Sequence, residues 1–511
     1  MNKWFIKTVS LLALGSLTAT DCYANYAAAQ AARGRRDYVN AAAGFYSAMA
    51  NPRDSAEKAK SEWGLAESLY DLGLLYSASK NYTTIIRRGY RPDNPFFRNA
   101  LERLGAINST ISLGQSHIVQ LFKAKIDPVV VPGPAQGFYF YYLGMESFQD
   151  AKYERAESLF ERVPSSSAYY LRALFHLAVV ANLQGKHSQS IGLFQKVAES
   201  AGRDDNGDEL RELAHLNMAR VYYETKKFRQ SIEYYSRIPR GVENNWLDAI
   251  WEASWAFFLM QKHNNALGNI HTIHSPFFNN RFFPESYVLQ AVTYLRLCRY
   301  DEVKDSLKKF RERYSPVFAD IRSILDQAGG KPRDFFGVVY QYRIGSLSRY
   351  KNAWEILDKL SRTDAYREAR ETVRFADREL ARLADFGGRW KQNGLMDELG
   401  DFLNQKKGLA VSDAGRRLER LAREYFSYLK DLSEQTRLIQ AEQMLGKIDQ
   451  LRSELNIGTA DRKVSFIGGM QELNVGDQLE YWPFQGEYWE DELGGYVYNI
   501  PSKCKGSDKE K

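Results

Sequence analysis

The sequence predicts an all-α protein: a superhelical array of helical hairpins, then a longer helical region, then a short aromatic tail. Three observations carry this expectation. A pattern of small and large residues recurs at intervals near 34 residues from Gly137 to Phe310. Proline, the strongest helix breaker, is scarce at 14 of 511 residues. Past the repeats, apolar residues still fall at three- and four-residue spacing, the signature of one buried helix face. The chain is 44% hydrophobic and 26% charged, which excludes wholesale disorder. Its three cysteines exclude a disulfide scaffold and a multi-cysteine metal protein.

The repeats are read by alignment. Ala156, Phe160 and Val163 return 34 residues later as Ser190, Phe194 and Val197. The template continues through Met218-Ala219, Tyr222, Ser231, Tyr235 and Ile238. It fits again at Ala253-Ser254, Phe257, Ala266, Ile270 and Ile273, and last at Ala291, Tyr294, Val303, Leu307 and Phe310. Units begin near Gly137, Leu171, Glu212, Leu247 and Pro284. Gly144, Ala178, Ala219, Ser254 and Ala291 are expected where paired helices approach closely. Phe160, Phe194, Tyr235, Ile270 and Leu307 are expected to fill the space between units. No unit buries its apolar face alone, so units must stack. Pro164 and Pro239 come early and predict short second helices; Pro276 and Pro316 are displaced as well.

These residues resemble the tetratricopeptide repeat (TPR) family over 137–315, with divergent proline placement. The resemblance implies a TPR-like α-solenoid whose first helices line a concave protein-binding groove. Carried over by phase, the groove positions are Tyr141, Phe148, Phe175, Asn182, Arg220, Tyr223, Trp251, Trp255, Phe258 and Arg296. Aromatic and arginine side chains supply most interface energy, and Trp251 and Trp255 lie one turn apart. Either an external partner or the chain's own later segments would cover such a face.

The N-terminus carries Lys3 and Lys7, an apolar core with Leu11, Leu12, Leu14 and Leu17, then Cys22-Tyr23-Ala24. This three-part pattern predicts a secretory signal peptide over 1–24, cleaved after Ala24. The apolar stretch is short for a membrane anchor, which needs about 20 residues. Asp21 disfavours a lipoprotein reading of Cys22. No later stretch approaches a transmembrane span. The net charge of +7 is mild for this length, and no block of five or more basic residues suggests nucleic-acid binding.

The remaining segments are assigned by pattern. Residues 25–126 read as an N-terminal helical region with one degenerate repeat: Trp63, Ala66, Leu69 and Tyr70 form one stripe, Ala78, Tyr82 and Ile85 the next. Residues 127–136, with Pro128, Pro132 and Pro134, read as a linker. Residues 316–457 read as a helical or coiled-coil region. Within it, Leu418, Leu421, Tyr425, Tyr428 and Leu432, then Leu445, Ile448, Leu451 and Leu455, mark a long amphipathic helix. Residues 458–511 form an aromatic, acidic tail with Leu479-Glu480-Tyr481-Trp482-Pro483-Phe484, Gly486-Glu487-Tyr488-Trp489 and Gly494-Gly495-Tyr496-Val497-Tyr498.

Catalytic signatures are absent: no Gly-x-Ser-x-Gly, no P-loop, no His-Glu-x-x-His. His271 and His274, with His263 nearby, lack supporting ligands at metal spacing, so helix-end packing is expected and no metal or cofactor. Glu487, Glu490 and Asp491 beside Trp482 and Trp489 could serve glycan chemistry, but tail aromatics docking on the array are the simpler reading. After signal removal only Cys298 and Cys504 remain. In an oxidising compartment they form either a disulfide or two buried thiols.

The whole arrangement resembles secreted TPR proteins of gliding and predatory bacteria, some assigned to adventurous gliding motility. The resemblance implies a role in motility or envelope assembly. The expected function is a non-enzymatic periplasmic scaffold or adaptor. It would bind an envelope protein, or an extended segment of one, without nucleic acid. The competing expectation is a cell-wall glycan-binding or glycan-processing factor acting through the tail.

Overall fold

The computed structural model describes residues 26–123, 126–202, 205–241, 245–457 and 486–504. The expected signal peptide and the Tyr481–Phe484 part of the tail lie outside them. Among the described residues every regular element is a helix, and none is long and apolar enough to cross a membrane. The fold is a TPR-like α-solenoid with additional helices.

Each hairpin is closed by the same turn. Ala151, Gly185, Lys226, Gln261 and Cys298 all take positive φ, between 52° and 75°. The residue after each donates its N–H to a carbonyl five positions back: Lys152 to Ser147, Lys186 to Ala181, Lys227 to Tyr222, Lys262 to Phe257 and Arg299 to Tyr294. This is the Schellman C-cap, and it satisfies carbonyls that a helix end leaves open. The same turn recurs at Arg36 and Gly73. Hairpin geometry therefore reaches back to the N-terminal region, where Tyr26 of a helix over 26–34 meets Phe45 of Tyr38–Ala50 at 5.9 Å, Tyr38–Ala50 packs on Ser55–Asp71, and Ser55–Asp71 packs on Leu75–Arg87. A single degenerate repeat undercounts it.

The helix pairs meet where a small residue faces a large one. A Cβ on Gly144 would lie 2.6 Å from the Phe160 ring, so only glycine fits there. Ala178, Ala219, Ser254 and Ala291 are fully buried, and Phe194, Tyr235, Ile270 and Leu307 nearly so. Gly144 and Phe160 belong to one hairpin, so this large residue packs within its unit and not only between units. Ser190 and Ser231 pin two crossings by donating to the Ala178 and Ala219 carbonyls, each at 2.8 Å.

Proline placement explains helix lengths with one exception. The second helices Tyr153–Glu161 and Phe228–Tyr235 are short and precede Pro164 and Pro239. Pro316, however, does not end the array's last helix, which runs Tyr300–Ala328 straight through it. An interior proline costs ~3 kcal/mol or more. Burial of Phe310, Tyr314, Val317, Ile321 and Ile324 on one face outweighs that cost. The boundary expected at 315 is thus absent. Likewise the expected linker holds a short 3-10 turn, Pro128–Val130, and the start of the Gly133–Gln149 helix, with Pro134 in its first turn.

The described residues form two compact units assembled from distant segments. In one, residues up to Ser200 pack with Gly330–Phe336 and Arg362–Leu418. Its ties are polar and buried. The Glu379 carboxylate accepts from the N–H groups of Tyr76 and Ser77, at 2.6 and 3.1 Å, and from the Ser77 hydroxyl, capping the Leu75–Arg87 helix. Trp390 donates its indole N–H to the Val39 carbonyl at 2.9 Å. In the other unit, Ala201–Gly329 packs with Gly337–Ser361 and with residues from Glu419 onward. Arg281 pairs with Asp358 at 3.3 Å and Arg313 with Glu355 at 3.2 Å.

The long helix, Leu395–Ile457, starts well before the expected stripe that opens at Leu418. Leu418, Leu429 and Leu432 are buried by the chain's own units. Phe426 stacks on Phe318 at 4.4 Å and Tyr425 meets Phe282 at 5.3 Å. This part packs as a bundle helix, not as a coiled-coil arm. Leu445, Ile448, Leu451 and Leu455 remain exposed.

Ala178→Leu should destabilise the fold by about 1–3 kcal/mol, the usual cost of overpacking a filled site. A melting temperature unchanged from wild type would show that the helix pairs are out of the register described. Gln261→Gly should stabilise by about 1 kcal/mol, because glycine takes positive φ without the side-chain penalty; a urea midpoint that falls would contradict the turn geometry.

Candidate functional site

The first helices present aromatic stripes, and each unit has its own. In the first unit Tyr141 lies 5.4 Å from Tyr142, 5.3 Å from Tyr169 and 6.0 Å from His176. Phe148 and Phe160 also meet His176, at 5.8 and 5.7 Å. His176 is thus the hub of the cluster, and burial lowers its pKa to about 4. The sequence reading missed it because no motif marks a histidine surrounded by rings from three helices. Phe175 packs edge-on against Phe194 at 5.2 Å. Asn182 is turned to its own hairpin, with Oδ1 2.9 Å from His187 Nδ1.

In the second unit Trp251, Trp255 and Phe258 form a run of edge-on rings, with centroids 6.1 and 5.9 Å apart. All three are half-buried. Tyr223 packs on Phe228 at 5.5 Å. Arg220 is committed within the array: it makes a two-pronged pair with Glu252, whose carboxylate also accepts from the Tyr235 hydroxyl at 2.9 Å. Arg296, at the end of the Glu285–Arg296 helix, adds to burial in lowering the pKa of His263, whose ring packs on Phe258 at 5.6 Å.

Later segments cover part of this face. Phe283 lies 6.4 Å from Trp251 and carries the Lys359 ammonium 5.6 Å above its ring. Tyr428 donates to Glu285 at 2.8 Å. Burial raises the Asp248 carboxyl, and Lys359 opposes that shift.

The tail residues 486–504 lie against the fourth and fifth hairpins. Cys504 is joined to Cys298 by a disulfide, with Cα atoms 5.0 Å apart. Cys298 is the left-handed residue of the last hairpin turn. Leu493 enters the core beside Trp246 and Leu247. The His271 ring is stacked on Tyr488 at 4.7 Å, meets Tyr496 edge-on at 4.8 Å and has Nδ1 3.2 Å from the Tyr498 hydroxyl. Burial lowers its pKa to about 4. His274 stacks on Tyr287 at 4.0 Å with Nε2 2.7 Å from the Ser286 hydroxyl, and burial lowers its pKa to about 3. Both histidines are therefore packed against rings and hydroxyls. No group of side chains suited to hold a metal ion occurs among the described residues. Glu490 and Asp491 are exposed beside Trp489, which is 52% exposed.

No protein-family model matches the chain, and no curated protein does. Solved structures similar to it are helical-repeat proteins at low identity. A tetratricopeptide repeat protein from Parabacteroides merdae is 15% identical over 50% of this chain and 92% of its own, with a TM-score of 0.30. The apo quorum sensor NprR from B. thuringiensis is 12% identical over 75% and 99%, at 0.32. Yeast Tom70 is 11% identical over 86% and 99%, at 0.20.

His271 gives a pH prediction. Its folded-state pKa of about 4 lies below the ordinary 6.5. Between those values the unfolded chain binds a proton that the native chain does not, so stability rises with pH across that window. Acidification from pH 7 to 5 should lower the melting temperature, and His271→Gln should show a smaller drop. Equal drops in both proteins would mean that this histidine titrates normally.

Proposed function

We propose that the protein is a non-enzymatic scaffold, exported to the periplasm, that holds an extended segment of another envelope protein on its aromatic first-helix faces. The observation that carries the reading is the half-buried run Trp251, Trp255 and Phe258. Three large rings on one face, only partly covered by Phe283 and Lys359, make a ready anchor site for apolar side chains. The three-part N-terminal pattern and the Cys298–Cys504 bridge support an oxidising compartment. The resemblance to secreted proteins of gliding bacteria adds motility or envelope assembly as the setting.

The glycan reading has less support. Tyr488, Tyr496 and Tyr498 face His271, and of the described tail rings Trp489 alone is exposed beside the carboxylates. Sugar sites combine a rigidly held pair of acids with stacking platforms, and Glu490 and Asp491 sit on a solvent-facing turn.

Trp251→Ala with Trp255→Ala should abolish capture of the partner from crosslinked cells while leaving the helical circular dichroism unchanged. Truncating interface anchors costs about 2 kcal/mol or more each. Loss of helicity, or undiminished capture, would contradict the reading. Retention on purified peptidoglycan that depends on residues 458–511 would favour the glycan function instead.

A further inference from the structure

The Trp246–Leu259 helix carries two apolar stripes. Trp251, Trp255 and Phe258 form one. Trp246, Ile250, Ala253 and Phe257, at i, i+4, i+7 and i+11, form another on a different face. This second stripe seats the tail: Leu493 is buried among Trp246, Leu247 and Ala249, with Tyr488 and Tyr496 packed against the same cluster.

The array recognises the tail through its main chain. The Gly494 N–H donates to the Thr272 hydroxyl at 2.9 Å. Tyr498 N–H donates to the Asn264 carbonyl at 3.1 Å, Ile500 N–H to Asn264 Oδ1 at 3.2 Å, and Lys503 N–H to the Leu297 carbonyl at 2.9 Å. Gly268 makes room, since a Cβ there would lie 1.7 Å from the Tyr496 carbonyl oxygen. Main-chain bonds of this kind accept any extended chain whose side chains fit. The tail also leaves space: an open cleft of about 460 Å³ remains along its edge, lined by Tyr235, Arg240, Trp246, Phe257, Leu493 and Tyr496.

We propose that this face is a second peptide-docking surface, for an extended partner segment of the tail's own pattern, hydrophobic-Gly-x-Tyr-x-Tyr, and that the disulfide keeps it occupied in cis. Opening is a thiol–disulfide exchange with a dithiol oxidoreductase. One thiolate of the reductant attacks Cys504 Sγ and Cys298 leaves as a thiolate. The second reductant thiol then attacks the mixed disulfide and frees Cys504. Two electrons come from the dithiol, which ends as a disulfide, and both cysteines are protonated. Once the bridge is open the tail is only a tethered competitor, which a partner segment can displace. The surface is separate from the Trp251 stripe, so failure here leaves that reading intact.

The probe is a fluorescent synthetic peptide of residues 486–504 with serine in place of Cys504, added to the full exported chain. Reduction should tighten its binding at least tenfold, and Cys504→Ser should match the reduced protein without reductant. Amides of residues 494–504 should exchange hydrogen at least tenfold faster after reduction. Gly268→Leu should block the peptide in every redox state, and Thr272→Val should weaken it while preserving helicity. Binding that ignores the redox state, no binding in either reduced or Cys504→Ser protein, or tail amides equally protected in both states would each overturn the proposal.

Discussion

How closely two helices of a hairpin can approach decides most of this structure. At each crossing one side is nearly bare, as at Gly144, Ala178 and Ala219, and the other brings a bulky side chain, as at Phe160, Phe194 and Tyr235. Interiors are packed close to crystal density, so the fit leaves no slack for a larger residue on the small side. The left-handed residue that closes each hairpin fixes where the second helix begins. Together these two constraints set the phase of every first helix. That phase turns Trp251 and Trp255 to one face and Trp246 and Ile250 to another.

Buried charge does the joining that apolar packing leaves undone. Glu379 caps a helix some 300 residues away in sequence. Glu67 accepts from Arg33, Arg103 and the Tyr82 hydroxyl. Glu355 and Asp358 hold Arg313 and Arg281. A buried carboxylate is tolerable only when it is paired or hydrogen-bonded, so each of these contacts is hard to break on one side alone. They specify which late segment belongs to which part of the array.

The array was legible because its signal is local and periodic. Pro164 and Pro239 announced two short helices, and the 34-residue recurrence located the small residues at the crossings. Phe310, Tyr314, Val317, Ile321 and Ile324 keep helical spacing across Pro316, so that signal is local, and their burial carries the helix past the proline. What could not be read depended on distance. Nothing near Asn182 or Arg220 reveals that their neighbours His187 and Glu252 engage them. His176 has no motif, only three helices' worth of rings around it. The interleaving of residues 330–418 into two units rests on carboxylates whose partners lie from 42 positions away, for Glu355, to 303, for Glu379. The tail's docking was approached through the two cysteines, which the sequence left open between a bridge and separate thiols.

The covalent closure of the tail onto the last hairpin ties the end of the described chain to the fold and underlies the proposed docking surface. Peptide mapping of denatured, unreduced protein tests it directly. The account predicts one linked peptide pair containing Cys298 and Cys504, and no free thiol. Two free thiols per chain would contradict it.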